Sequence, residues 1–66
     1  MPLTRIEERV VYVIENNNIY IGDISRVTKI GIAMLRGILD DLINKNVIKT
    51  SIDSDNHTIY IVCYWF

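Results

Sequence analysis

Residues 24–48 read Ile-Ser-Arg-Val-Thr-Lys-Ile-Gly-Ile-Ala-Met-Leu-Arg-Gly-Ile-Leu-Asp-Asp-Leu-Ile-Asn-Lys-Asn-Val-Ile, from Ile24 to Ile48. Ile24, Val27 and Ile30 stand three apart. After Gly31, Leu35, Ile38, Leu39 and Leu42 fall at i, i+3, i+4 and i+7. That spacing predicts a short helix with one apolar side, a tight turn, and a longer amphipathic helix. The turn is Lys29-Ile30-Gly31, with Ile30 expected to plug the space between the helices. So short a connection makes the helices cross steeply and presents the second one to a partner.

Before this stretch, Thr4 and Glu7 have the spacing of a capping box. They open a first helix whose apolar side is expected to carry Ile6, Val10, Val13 and Ile14. Arg5, Glu8, Arg9 and Tyr12 lie opposite. Asn16-Asn17-Asn18 reads as a helix stop, because Asn tolerates left-handed backbone. Ile19-Tyr20-Ile21 is too short to stand alone and is expected as a small strand beside a later hairpin. Gly22-Asp23 starts the second helix, with Asp23 as N-cap or first-turn acid. The long helix spans about 32–45, and Asn46 is placed to close it in a left-handed conformation.

From Val47 the period changes. Residues 47–52 and 58–65 are β-prone, and Asp53-Ser54-Asp55-Asn56-His57 is a polar five-residue loop between them. In the last strand both alternating sets are apolar: Ile59, Ile61, Cys63 and Trp65, and Tyr60, Val62, Tyr64 and Phe66. A strand with one side in water alternates with polar residues. One side is therefore expected to cover the helices and the other a partner subunit.

Composition limits the function classes. A chain of 66 residues makes one domain, 1–66, with a modest core. Half of its residues are apolar and thirteen are isoleucine, more than so small a core easily hides. A homodimer is the expected remedy, with Tyr12, Tyr60, Val62, Tyr64 and Phe66 at its interface. The formal charge of −1 gives no global pull toward nucleic acid. Cys63, the single cysteine, reads as a small apolar strand residue, with an intermolecular disulfide as the second reading. No run approaches the roughly 18 apolar residues of a membrane helix. No signal-peptide pattern follows Met1, so a cytoplasmic, full-length small protein is expected.

The order helix, short strand, helix, turn, helix, hairpin resembles a winged helix-turn-helix domain, an α+β fold of three helices with a C-terminal two-stranded wing. The resemblance covers nearly the whole chain. It is carried by Ile24, Val27, Thr28 and Ile30, by Leu35, Leu39 and Leu42, and by Asn46-Val47-Ile48 leading into the wing. The spacing is similar to that of small prokaryotic regulators. Lys29 departs from it where the family has a turn glycine, and Gly31 where it has a capping serine. The Ile- and Asn-rich composition is similar to that of small proteins of hyperthermophilic archaea and their viruses and plasmids. For a viral protein, the compartment would be the host cytoplasm.

The resemblance implies sequence-specific binding of double-stranded DNA by a dimeric transcription regulator, with the second helix of the pair in the major groove. Inward-facing leucines send Ala33, Arg36, Gly37, Asp40 and Asn44 outward. Arg36 suits guanine, Ala33 a thymine methyl, and Asn44 the backbone. Arg26, Lys29 and Arg36 form the best basic cluster. His57 is the one candidate cation in a loop that carries two aspartates. Gly37 weakens the helix by about 0.5–1 kcal/mol relative to Ala. Either a close partner or tight packing against another helix explains it. The second reading is a winged-helix protein-interaction module, favoured by the acidic wing and by Ile32, Met34 and Ile43 beside the inward side.

No cofactor or metal is expected, since one His and one Cys do not make a zinc site. No enzyme is expected either. Asp40 and Asp41 are adjacent on a helix and point about 100° apart, and there is no phosphate-cradling glycine loop or nucleophile–base pair.

Overall fold

The computed structural model describes residues 3–63. The chain forms three helices followed by a two-stranded antiparallel hairpin, an α+β layout of winged-helix type. The elements are α1 (Arg5–Glu15), α2 (Ile21–Thr28), α3 (Ile32–Asn44), β1 (Ile48–Ile52) and β2 (Thr58–Val62).

α1 begins with the expected capping box. Thr4 Oγ1 accepts the Glu7 amide at 3.2 Å, and Glu7 Oε1 accepts the Thr4 amide at 3.0 Å. The asparagines end the helix as expected. Asn17 is left-handed at φ 72°, and the side-chain amides of Asn16 and Asn18 donate to the Tyr12 and Val13 carbonyls.

The buried side of α1 is rotated from expectation. Glu7, Val10, Val11 and Ile14, at i, i+3, i+4 and i+7, are all buried together with Val13, whereas Ile6 is 44% exposed. A carboxylate takes a core position because Lys45 Nζ meets both of its oxygens, at 2.9 and 2.7 Å.

α2 starts at Ile21, one residue before Gly22, so of the two readings of Asp23 the first-turn acid holds and the N-cap does not. Tyr20 occupies the N-cap position without a side-chain hydrogen bond, which leaves no sequence signal for the start. Inside α2 the buried pair is Ile24 and Thr28, and Val27 is 43% exposed. Thr28 tolerates burial because its hydroxyl donates to the Ile24 carbonyl at 2.7 Å.

The core joins these α1 residues and Ile24 to Leu35, Leu39 and Leu42 of α3 and to Val47 and Ile48. Asn46 closes α3 in the left-handed region at φ 61°, as expected.

The hairpin pairs Ile48 with Val62 and Thr50 with Tyr60, around the five-residue loop 53–57. Ile48 is 2% exposed. Its cross-strand partner Val62 therefore faces the helices, and Tyr60, two residues away, shares that face. Both pack against the core. Tyr60 and Val62 thus lie on the inward face of the sheet and not on the face expected to meet a subunit. Ile59 and Ile61, half-buried, form the opposite face. Tyr64, Trp65 and Phe66 lie outside the described residues. Ile19-Tyr20-Ile21 is not a strand, but the Tyr60 amide donates to the Ile19 carbonyl at 2.9 Å. Among the described residues no helix is long and apolar enough to cross a membrane.

Candidate nucleic-acid interface

The turn between α2 and α3 is held by a left-handed residue and two side-chain hydrogen bonds. Lys29 takes the left-handed conformation at φ 63°, the Ser25 hydroxyl donates to the Ile30 carbonyl at 2.6 Å, and the Ile30 amide donates to Thr28 Oγ1 at 3.3 Å. Ile30 is half-buried and packs on the core, the plug expected of it. Gly31 then N-caps α3 with no side-chain hydrogen bond, so the first amides of α3 lack a side-chain acceptor.

Leu35, Leu39 and Leu42 are buried, which fixes the orientation of α3. Ala33, Arg36, Gly37, Asp40 and Asn44 are all exposed, as their spacing predicts. Nothing lies within 4 Å of where a Cβ on Gly37 would sit. Packing against another helix of this chain is therefore not the reason for glycine at that position.

The cations are distributed unevenly. Lys29 stands exposed at the turn. Arg26 is exposed too, but its guanidinium pairs with Asp23 at 3.0 Å. Such a pair at the surface contributes little, about 0–1 kcal/mol, and opens easily. Arg36 reaches an open cleft of about 490 Å³ between α2, α3 and the hairpin, where His57, Tyr20 and Asp40 also contribute. The fold thus brings Arg36 and His57, far apart in sequence, to one concavity. Arg26, Lys29, Ala33 and Asn44 do not line it.

Two residues of this region escaped the sequence reading, Tyr20 and Asp53. The Tyr20 hydroxyl donates to Asp53 Oδ2 at 2.5 Å. Asp53 Oδ1 accepts the amides of Asp55 and His57 at 2.9 and 2.8 Å. His57 Nδ1 lies 3.8 Å from Asp53 Oδ2, and the His57 ring meets Tyr20 edge-on at 6.4 Å. The Tyr20 hydroxyl, followed by the His57 amide, holds the Asp53 carboxyl below its usual range, and the same bond raises the Tyr20 phenol. Asp55 joins Asp53 and His57 in a group whose donor atoms lie within 4.8 Å of one another, a spacing that could hold a metal. Both Asp53 oxygens are already acceptors for protein groups, which makes the carboxylate the tie of the loop rather than a free ligand. An aspartate followed two and four residues later by amides it can bind is the local signal for such a loop; the tyrosine 33 positions away has none.

The chain matches no protein-family model, no curated protein and no solved structure. The winged-helix layout therefore rests on the elements themselves.

Proposed function

We propose that this chain binds double-stranded DNA through the outward side of α3, as a small homodimeric transcription regulator of the cytoplasm without catalytic activity. The observation that carries the reading is the unobstructed surface at Gly37 beside exposed Arg36. A helix backbone bare of side chains next to an arginine can approach a groove closely, while the guanidinium reads guanine O6 and N7. Lys29 and the uncapped start of α3 supply a phosphate contact. Arg26 joins them once it leaves Asp23. The aspartates of the wing oppose phosphate, so the helix and turn carry the affinity.

Titration of duplex DNA at several salt concentrations tests this. Binding should weaken steeply with salt, and Lys29→Ala should lower the slope by about 1. Arg36→Ala should cost about 1–3 kcal/mol at a guanine-containing site. Unchanged affinity in both variants would reject the assignment.

A second reading, a protein-interaction module, is favoured by Val27, Ile32 and Met34, which are 43%, 45% and 59% exposed around the turn. Ile43, also considered for that surface, is half-buried against the core instead. No binding to any duplex at low salt would turn the choice to this reading.

A further inference from the structure

Arg36, Asp40 and His57 are the ionisable side chains, tyrosines aside, that line the cleft of about 490 Å³ between α2, α3 and the hairpin. His57 is engaged: its Nδ1 lies 3.8 Å from the Asp53 carboxylate, to which Tyr20 is also bonded. Arg36 and Asp40 are not. Both are exposed, and among the described residues neither makes an ion pair. Residues four apart on a helix are neighbours, with Cβ atoms about 5–6 Å from one another. Asp23 and Arg26, comparably close on α2, do pair, at 3.0 Å. There the acid comes first, the stronger order; in Arg36 and Asp40 the base comes first, the weaker one. The rest of the lining is Tyr20, Ile21, Gly22, Thr58 and Tyr60. The Tyr20 hydroxyl is committed to Asp53, so Tyr20 adds ring rather than a free polar group to the cleft.

We propose that this cleft binds a free α-amino acid with an apolar side chain. Its carboxylate meets Arg36, its ammonium meets Asp40, and its side chain lies against Tyr20, Ile21 and Tyr60.

Charge and spacing select this class. The two uncommitted charges sum to zero, so a ligand that leaves neither unmatched is a zwitterion. A phosphate or nucleotide would satisfy Arg36 but stand beside the Asp40 carboxylate, and like charges that close repel. A polyamine would meet the reverse conflict with Arg36. A carboxylate and an ammonium on one carbon need opposite charges side by side, as two residues one helical turn apart provide. Arginine offers a carboxylate two parallel N–H bonds, and an ammonium donates to a carboxylate in turn. The volume lies within the range of small-molecule sites, about 300–1,000 Å³. The wall opposite α3 is held by the bonds of Asp53 to Tyr20 and to the His57 amide. Because Arg36 is also the base reader proposed above, a bound amino acid would withdraw it from DNA. That consequence rests on the reading above, and the site does not.

L-Phenylalanine and L-leucine, titrated into the DNA-free protein and followed by backbone amide resonances in NMR, test the site. Saturable shifts should centre on Gly22, Arg36, Asp40 and Thr58. Phenethylamine lacks the carboxylate of phenylalanine, and hydrocinnamate lacks its ammonium. Each forgoes a charge-assisted hydrogen bond and should bind at least about tenfold more weakly than phenylalanine. Arg36→Gln and Asp40→Asn, exposed changes that should keep the helical circular dichroism, should each weaken phenylalanine as much. No saturable shift with either amino acid at millimolar concentration would overturn the proposal. So would equal binding of phenylalanine and its two single-charge analogues, a result that needs no variant. Binding is read without DNA, so its failure leaves duplex binding untouched, and a protein that binds no duplex keeps the site.

Discussion

The ammonium of Lys45 lies 2.9 and 2.7 Å from the two carboxylate oxygens of Glu7, tying the end of α3 to the first turn of α1 across 38 positions. Glu7 is nearly enclosed, its side chain 7% exposed, and also serves the capping box.

Lys45→Met should therefore cost about 1–3 kcal/mol in chemical denaturation, because it leaves a buried charge with only the Thr4 amide. Lys45, then the Thr4 amide, hold the Glu7 carboxyl below its ordinary range against the opposing effect of burial. A depressed carboxyl stabilises the fold above its unfolded pKa, about 4.3. That contribution is lost as pH falls through the lower folded value. Lys45→Met should flatten this acid limb of the stability curve.

Lys29 holds a left-handed backbone at φ 63° that glycine adopts without cost. Lys29→Gly should raise stability by about 0.5–1 kcal/mol, the relief of left-handed strain less the entropy of glycine. The same variant should weaken DNA binding. A thermal melt and a DNA titration on one sample should move in opposite directions.

Gly37→Ala meets open space and should stabilise α3 by about 0.5–1 kcal/mol. If the bare backbone is there for a close partner, the more stable variant binds duplex DNA less well. Equal binding by both proteins would remove the functional reason for the glycine.

Tyr20→Phe deletes the hydroxyl that joins α2 to the loop. The Asp53 carboxyl should then titrate higher, followed by its side-chain carbon resonance in NMR. In the unmodified protein the Tyr20 phenol should ionise above its ordinary value of about 10. Its contribution to stability is present below that pH and lost as pH rises through the raised value. The variant should lose one phenolate absorbance step, that of Tyr20.

The elements legible in the sequence were those with local chemistry. Thr4 and Glu7 marked the start of α1, Asn17 and Asn46 the helix stops, and Leu35, Leu39 and Leu42 the orientation of α3. Where local signals were missing, the reading slipped. Tyr20 is a helix N-cap without a capping side chain, so α2 began early. A glutamate is not expected on a core stripe, so Lys45 alone explains why α1 is turned to bury Glu7 and Val11. Both sides of β2 are apolar, so alternation could not say that Tyr60 and Val62 face inward; the partner Ile48 decides it. The outward set on α3 was legible because helix geometry alone determines it. The cleft shared by Arg36 and His57 was not, because it depends on how the hairpin docks.

The hairpin is moored at two points besides its own base strand. Tyr60 is bonded to Ile19 near the root, and Asp53 to Tyr20 at the loop. Both moorings land on the same short connector ahead of α2. The span between the loop and α3 is therefore set by the fold itself, like the jaws of a caliper locked at one width. A surface held in this way has little conformational freedom left to lose when something docks on it.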